Sequence, residues 1–174
     1  MIGAVRLVRC TVGAAAAELA LAMPILLVLL FGSAELGNFF MNEHILVKAV
    51  RDGARFAARQ DFSNFSSCSG TPGGTVDADT KNVVMTGLVS GGTNKLRNWT
   101  SATITVSVSC NTATGGQTLG GIYTGNKNSS GTLIGAPIVT VSATVPYSPI
   151  IRAFGFRGVG YNLNASQQAA VAGI

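Results

Sequence analysis

Gly13-Ala14-Ala15-Ala16-Ala17-Glu18-Leu19-Ala20-Leu21-Ala22-Met23-Pro24-Ile25-Leu26-Leu27-Val28-Leu29-Leu30-Phe31-Gly32-Ser33-Ala34 is the stretch from which the rest of the chain is read. No charge interrupts it between Leu19 and Ala34, and counted from Ala14 it runs 21 residues with Glu18 as the only ionisable group inside. At 1.5 Å per residue a helix of that length reaches about 30 Å, the thickness of a bilayer core. Pro24 removes one backbone hydrogen bond a turn or two into such a helix, which bends it without ending it. The residues before it include Arg6 and Arg9 and no acid. Basic flanks are held on the cytoplasmic side, so the chain is expected to place its N-terminus inside and everything after the apolar run outside.

Working outward, the composition splits. Apolar residues concentrate before residue 60, whereas Gly, Ser, Thr and Asn dominate from Ser63 to Gly135. Only 11% of the 174 residues are charged, and the length suits one modest domain. The net charge of +5 is too mild to call for nucleic acid. Cys10 lies in the basic start, while Cys68 and Cys110 lie in the polar half. An oxidising compartment would let these two pair, and chain entropy assigns about 4 kcal/mol to such a loop. Two separate buried thiols are the alternative.

A carboxylate inside an apolar run is costly, on the order of 3 kcal/mol on insertion scales, so Glu18 is a functional candidate by default. One reading has it simply reaching the headgroups from its place near the end of the run. The other starts from Gly13. A basic leader, a glycine, and a glutamate five positions later opening an apolar helix resemble the processing site of type IV-like prepilins. The resemblance continues through Glu18–Gly37 (ELALAMPILLVLLFGSAELG) and Ala49–Ala58 (AVRDGARFAA), which are similar to the conserved helix of the TadE (tight-adherence) family. Leu19 stands where tight-adherence pilins usually carry an aromatic residue.

That resemblance implies cutting after Gly13 by a membrane prepilin peptidase, a new amine at Ala14, and pairing of that amine with Glu18 between neighbouring subunits to set their register. It implies a minor pseudopilin of a tight-adherence (Flp-type) pilus, sited in the bacterial inner membrane with its C-terminal domain in the periplasm, or in a surface pilus. The implied partners are prepilin peptidase, other pilin or pseudopilin subunits, the inner-membrane assembly platform and membrane lipid, with no nucleic acid. Two other readings of the segment stand beside it. One is a secretory signal cut after Ala34, at the small-x-small site Gly32-Ser33-Ala34. The other is an uncut signal anchor carrying a periplasmic binding module that never assembles.

Beyond the run there is no proline from Asn38 to Gln60. There Phe39, Leu46, Val50, Gly53 and Ala57 fall within about 60° of one another at 100° per residue. Lys48, Arg51, Arg55 and Arg59 lie opposite. The apolar helix is therefore expected to continue as an amphipathic one, with a basic stripe that either docks on anionic headgroups or an acidic subunit patch, or is a solvated face. Gly53 and Ala57 form a small-x-x-x-small pair suited to the close approach of a sheet or another helix. His44, the sole histidine, has no set of ligand partners at helical spacing, so no metal is expected.

In the polar half, Thr75–Ser90 reads as a short helix. Thr75 or Asp77 would cap it, Asp77 and Asp79 would sit in its first turn, and Val76, Val83, Val84 and Leu88 would face inward. Asp77 and Asp79 do not fit a calcium-loop pattern. Ala102–Cys110 and Val139–Tyr147 alternate as half-buried strands, and Tyr161–Ala165 begins a third after a turn-rich segment that includes Gly155–Gly160. The Gly, Thr and Asn-rich residues 111–135 are too many for a tight turn, and read as a surface loop with room for a minor hairpin.

The expected class is α+β and pilin-like. A long N-terminal membrane-spanning helix continues as an amphipathic helix packed on an antiparallel sheet of about three strands. The expected divisions are a leader at 1–13, the helix at 14–60 and an exported domain at 61–174. One histidine, seven carboxylates and no recognisable nucleophile setting provide no catalytic constellation, so neither enzyme activity nor a cofactor is expected.

Overall fold

The computed structural model describes residues 13–97, 99–100, 103–111, 113–114, 117–118, 120–128, 130–151 and 160–173. The basic leader and the segment Gly155–Val159 lie outside the described residues. Ala14–Ala58 forms one unbroken helix, α1, which passes through Pro24. Phe62–Phe65 is a short 3-10 turn, Val76–Thr86 is α2, and Ile104–Asn111 is β1. The ribbon β2 (Ala113–Thr114) and β3 (Gln117–Thr118) follows, then a second 3-10 turn at Gly121–Gly125. Ala136–Pro146 is β4 and Asn162–Ala170 is β5.

Two compact units divide these elements. One holds α1 up to Phe39 together with the residues that begin at Pro149. The other holds Phe40–Ser148 and the C-terminal stretch from β5 onward.

In the first unit residues 13–30 are exposed throughout, and α1 is long and apolar enough here to cross a membrane. Leucines at 50–80% exposure cannot be reconciled with water on this scale, because each buried leucine side chain is worth about 2 kcal/mol. The first buried residue of α1 is a carboxylate, Glu35.

In the second unit the periodicity of α1 becomes a core. Leu46, Ala49, Val50, Gly53, Ala54, Ala57 and Ala58 are buried, at the three- and four-residue spacing of one helix face. Phe39 is only half-buried. The Gly53 and Ala57 pair does admit a close neighbour, and at Gly53 it is α2. A Cβ at Gly53 would collide with Val84 Cγ2, and buried Thr80 lies alongside.

α2 ends earlier than its apolar pattern suggests. Gly87 takes a left-handed conformation (φ 87°) and its N–H donates to Val83 O at 2.9 Å, closing the helix. Leu88 therefore falls beyond the cap and is 55% exposed instead of facing inward. Asp77 and Asp79 lie in the first turn as expected. Thr75 holds the N-cap position but its side chain makes no capping bond. Asp77 is engaged one turn along by Lys81 Nζ at 2.7 Å.

The sheet is antiparallel in the order β1-β4-β5, with β4 central. The registers Val106↔Val141 and Val145↔Leu163 bring the alternating apolar residues onto one face, where Ile104, Val106, Val108, Val139, Val141, Ala143, Val145 and Leu163 are buried. The opposite face is a field of hydroxyls and amides. Ser142 Oγ and Ser166 Oγ lie 2.9 Å apart, and Thr144 Oγ1 donates to Asn164 Oδ1 at 2.8 Å. Such cross-strand pairs are the unit of sheet stability.

Cys68 and Cys110 form a disulfide with Cα atoms 5.1 Å apart. It holds the loop before α2 against the end of β1, where Val108 N–H also donates to Gly70 O at 2.9 Å. The loop 111–135 contains the minor hairpin β2–β3. Within it buried Asn126 donates from Nδ2 to Gly135 O at 2.8 Å, and Asn128 Oδ1 accepts from the N–H groups of Ser130 and Thr132. At the C-terminus Ala172 N–H donates to Ala58 O at 2.8 Å, joining the chain after β5 to the end of α1.

Candidate processing site and membrane anchor

The bond between Gly13 and Ala14 lies where α1 begins: Ala14 is the first helical residue. Gly13 is exposed, and a Cβ there would meet no atom within 4 Å. The backbone at this bond is thus open to another protein on every side that the described residues define. Glu18 lies four residues after Ala14, one turn along the same face, and is exposed. Among the described residues no cation lies within ion-pair reach of it.

Around Pro24 the helix surface is shallowly hollowed. Ala16, Ala20 and Pro24 line the hollow together with Leu19, Met23, Leu27 and Val28. Small residues at i, i+4 and i+8 remove side-chain bulk from one stripe, which is how membrane helices approach each other closely.

Glu35, at the outer end of the uncharged run, received no role from the sequence. Its side chain is 4% exposed, and both carboxylate oxygens accept backbone hydrogen bonds. Oε1 and Oε2 each lie 3.2 Å from Ile150 N, and Oε2 lies 3.0 Å from Ile151 N. Pro149, just before, cannot donate, and the chain bends at Ile150, where the next two N–H groups both reach the carboxylate. Charge-assisted bonds of this kind are about twice as strong as neutral ones, and they offset the cost of withdrawing the carboxylate from water. The only sequence signal was a carboxylate one residue past the apolar run. The partners shown among the described residues are main-chain groups more than a hundred residues away, which no side-chain pattern marks.

On the amphipathic part of α1 the four basic residues Lys48, Arg51, Arg55 and Arg59 are all exposed. His44, Lys48, Arg51 and Arg55 border one shallow groove, and Asp52 lies beside them as the single acid. Among the described residues none of the four cations forms an ion pair within 4.0 Å. Nor do three or more His, Cys, Asp or Glu side chains converge to hold a metal. Asp61, just past α1, caps the following 3-10 turn by accepting from Ser63 N–H at 2.8 Å. Hydrogen bonding from the Ser63 side chain first, and from this N–H second, holds its carboxyl below the ordinary value of 3.8.

Neither a curated protein nor a solved structure matches the chain. A family model does: residues 13–55, from the glycine before α1 to Arg55 of the basic stripe, match the family described as TadE-like protein, so this segment is TadE-like.

Proposed function

We propose that the chain is a minor pseudopilin: a structural or assembly component of a tight-adherence (Flp-type) pilus, matured by prepilin peptidase between Gly13 and Ala14, and not an enzyme. The observation that carries this reading is the coincidence of three features. An open glycine stands at the helix boundary, Glu18 lies one turn inside an exposed apolar helix, and the TadE-like match begins at residue 13.

In this reading residues 1–13 are a leader, 14–60 the anchor and amphipathic helix, and 61–174 the exported domain. Before assembly the helix lies in the inner membrane, with the leader on the cytoplasmic side and the domain outside. On entering a filament it exchanges lipid for neighbouring helices. Lipid tails are as apolar as leucine, so the driving force for that exchange is close packing along the small-residue stripe together with charge pairing. The Ala14 amine and Glu18 carboxylate neutralise one another between subunits, which fixes register, since an unpaired carboxylate in that environment is strongly disfavoured. Lys48, Arg51, Arg55 and Arg59 offer a positive stripe to anionic headgroups or to an acidic patch of the assembly platform or another subunit.

Intact mass and N-terminal sequencing of the membrane-extracted protein, from cells with and without prepilin peptidase, test the reading. A chain beginning at Ala14 only when the peptidase is present is the expected result. A chain that begins at Glu35, or that keeps Met1 in both strains, would leave an exported or signal-anchored binding module in its place.

A further inference from the structure

Ile150 is among the most exposed large apolar side chains of the described residues, at 70%, although its backbone N–H is held by a buried carboxylate. A lone exposed isoleucine is ordinary on a water-facing surface; what sets Ile150 apart is the place at which its backbone is anchored. The carboxylate belongs to Glu35, the residue immediately after the uncharged run Leu19–Ala34. Counted from Ala14, that run and the turn before it match the roughly 30 Å of a bilayer core, so Glu35 falls at its outer boundary. Hydrogen bonds of 3.0–3.2 Å place Ile150 N and Ile151 N at the same level. Around this level α1 is apolar and open as well, with Leu29, Leu30 and Leu36 all more than half exposed.

We propose that the Pro149–Ile151 bend is a second membrane contact, seated by Glu35 so that the Ile150 side chain enters the outer-leaflet acyl region beside the spanning helix. The occupant of this surface is lipid. Continuity with the exposed leucines of the span argues for it, and so does the division of labour at Glu35. The two amides that donate to the carboxylate are themselves satisfied by it, where an unpaired N–H in lipid would be disfavoured. Glu35 is thus a positioning residue. It lets an anionic side chain and an irregular backbone sit together at the edge of the hydrocarbon.

The proposal rests on residues 14–34 being a membrane span, and the test separates the two. The full chain is reconstituted in phosphatidylcholine bilayers whose acyl chains are brominated near the headgroup in one sample, to report on position 150, and near the chain ends in another, to report on position 26. Trp99, the single native tryptophan, is replaced by phenylalanine, and one reporter is introduced as Ile150→Trp or, in a parallel sample, Leu26→Trp. Lipid bromine is expected to quench both reporters and aqueous acrylamide neither. Adding Glu35→Ala should turn the position-150 reporter toward acrylamide without changing the one at position 26. Quenching at 150 by acrylamide, with position 26 still quenched by lipid, would overturn the second contact and leave the span intact. Loss of lipid quenching at both positions would overturn the span and the contact together. Protection at 150 from both quenchers, relieved by diluting protein into excess lipid, would overturn it in favour of a second copy of the chain. Because Trp99 is buried and its replacement could disturb the fold, the same arms are read without substitution from isoleucine methyl NMR signals broadened by doxyl-labelled lipid, with Ile150→Val used only to assign the peak.

Discussion

Asp61 shows how much one exposed side chain can do at a junction. It follows the last turn of α1, where Arg59 N–H and Gln60 N–H already reach back only three residues, and its carboxylate takes the Ser63 N–H that begins the next turn. Because its folded pKa lies below the ordinary 3.8, the capping contribution is complete above that value and disappears as pH falls through the lower folded value. Thermal unfolding of the detergent-solubilised chain is expected to show a loss of stability below about pH 4. Asp61→Asn keeps an acceptor but no charge, and should flatten that part of the profile. An unchanged slope would assign the acid sensitivity to other carboxylates. Glu35 makes the complementary point, since its type and place were visible in the sequence whereas its partners, 115 and 116 residues further on, were not.

Between elements, the contact of α1 with α2 turns on the missing side chain at Gly53. Alanine there would gain about 1 kcal/mol of helix propensity. It would also drive a methyl group into Val84, which is fully buried and has no room to swing away. Overpacking of that kind costs about 1–3 kcal/mol, so the clash outweighs the propensity. Gly53→Ala is expected to lower the melting temperature, and Val84→Ala in the same chain should recover part of the loss by opening the space. If Gly53→Ala alone proves stabilising, the two helices do not approach as closely as described. The elements themselves were largely legible. The alternation of Ile104, Val106 and Val108 and of Val139, Val141 and Val145 announced β1 and β4, because a half-buried strand must alternate. β5 extends to Ala170, past the Tyr161–Ala165 stretch that alternation suggested. Gln167 and Gln168 carry no strand pattern and are held by backbone pairing to Val141 and Thr140. Leu88 misled in the opposite sense, since its spacing continued the face of α2 while Gly87 had already ended the helix.

At the scale of the molecule the two compositions seen along the chain correspond to two ways of being stable. Among the described residues of the unit that begins α1 only Glu35 is buried, and the exposed leucines make sense only in an apolar solvent or an assembly. The other unit has a core made mostly of valine and alanine, small residues that bury modest area, and the disulfide compensates. Joining positions 42 apart, it is expected to contribute about 2–4 kcal/mol. Cys110→Ser, or reduction of the unsubstituted chain, should lower the unfolding midpoint correspondingly, read by circular dichroism with and without reductant. An unchanged midpoint would mean that the hydrogen bond from Val108 to Gly70 and the sheet hold that loop unaided. By itself the sequence determined the apolar span, the prepilin-like spacing of Gly13 and Glu18, the amphipathic continuation and the two clearest strands, and it marked Cys68 and Cys110 as candidates to pair. Each of these follows from local periodicity, charge placement or a cysteine count of two in one compartment. Only the tertiary structure decided where α2 stops, how far β5 runs, which neighbour Gly53 admits and what Glu35 holds. Those outcomes depend on backbone groups and empty space brought together from distant parts of the chain, and neither leaves a mark in the order of side chains.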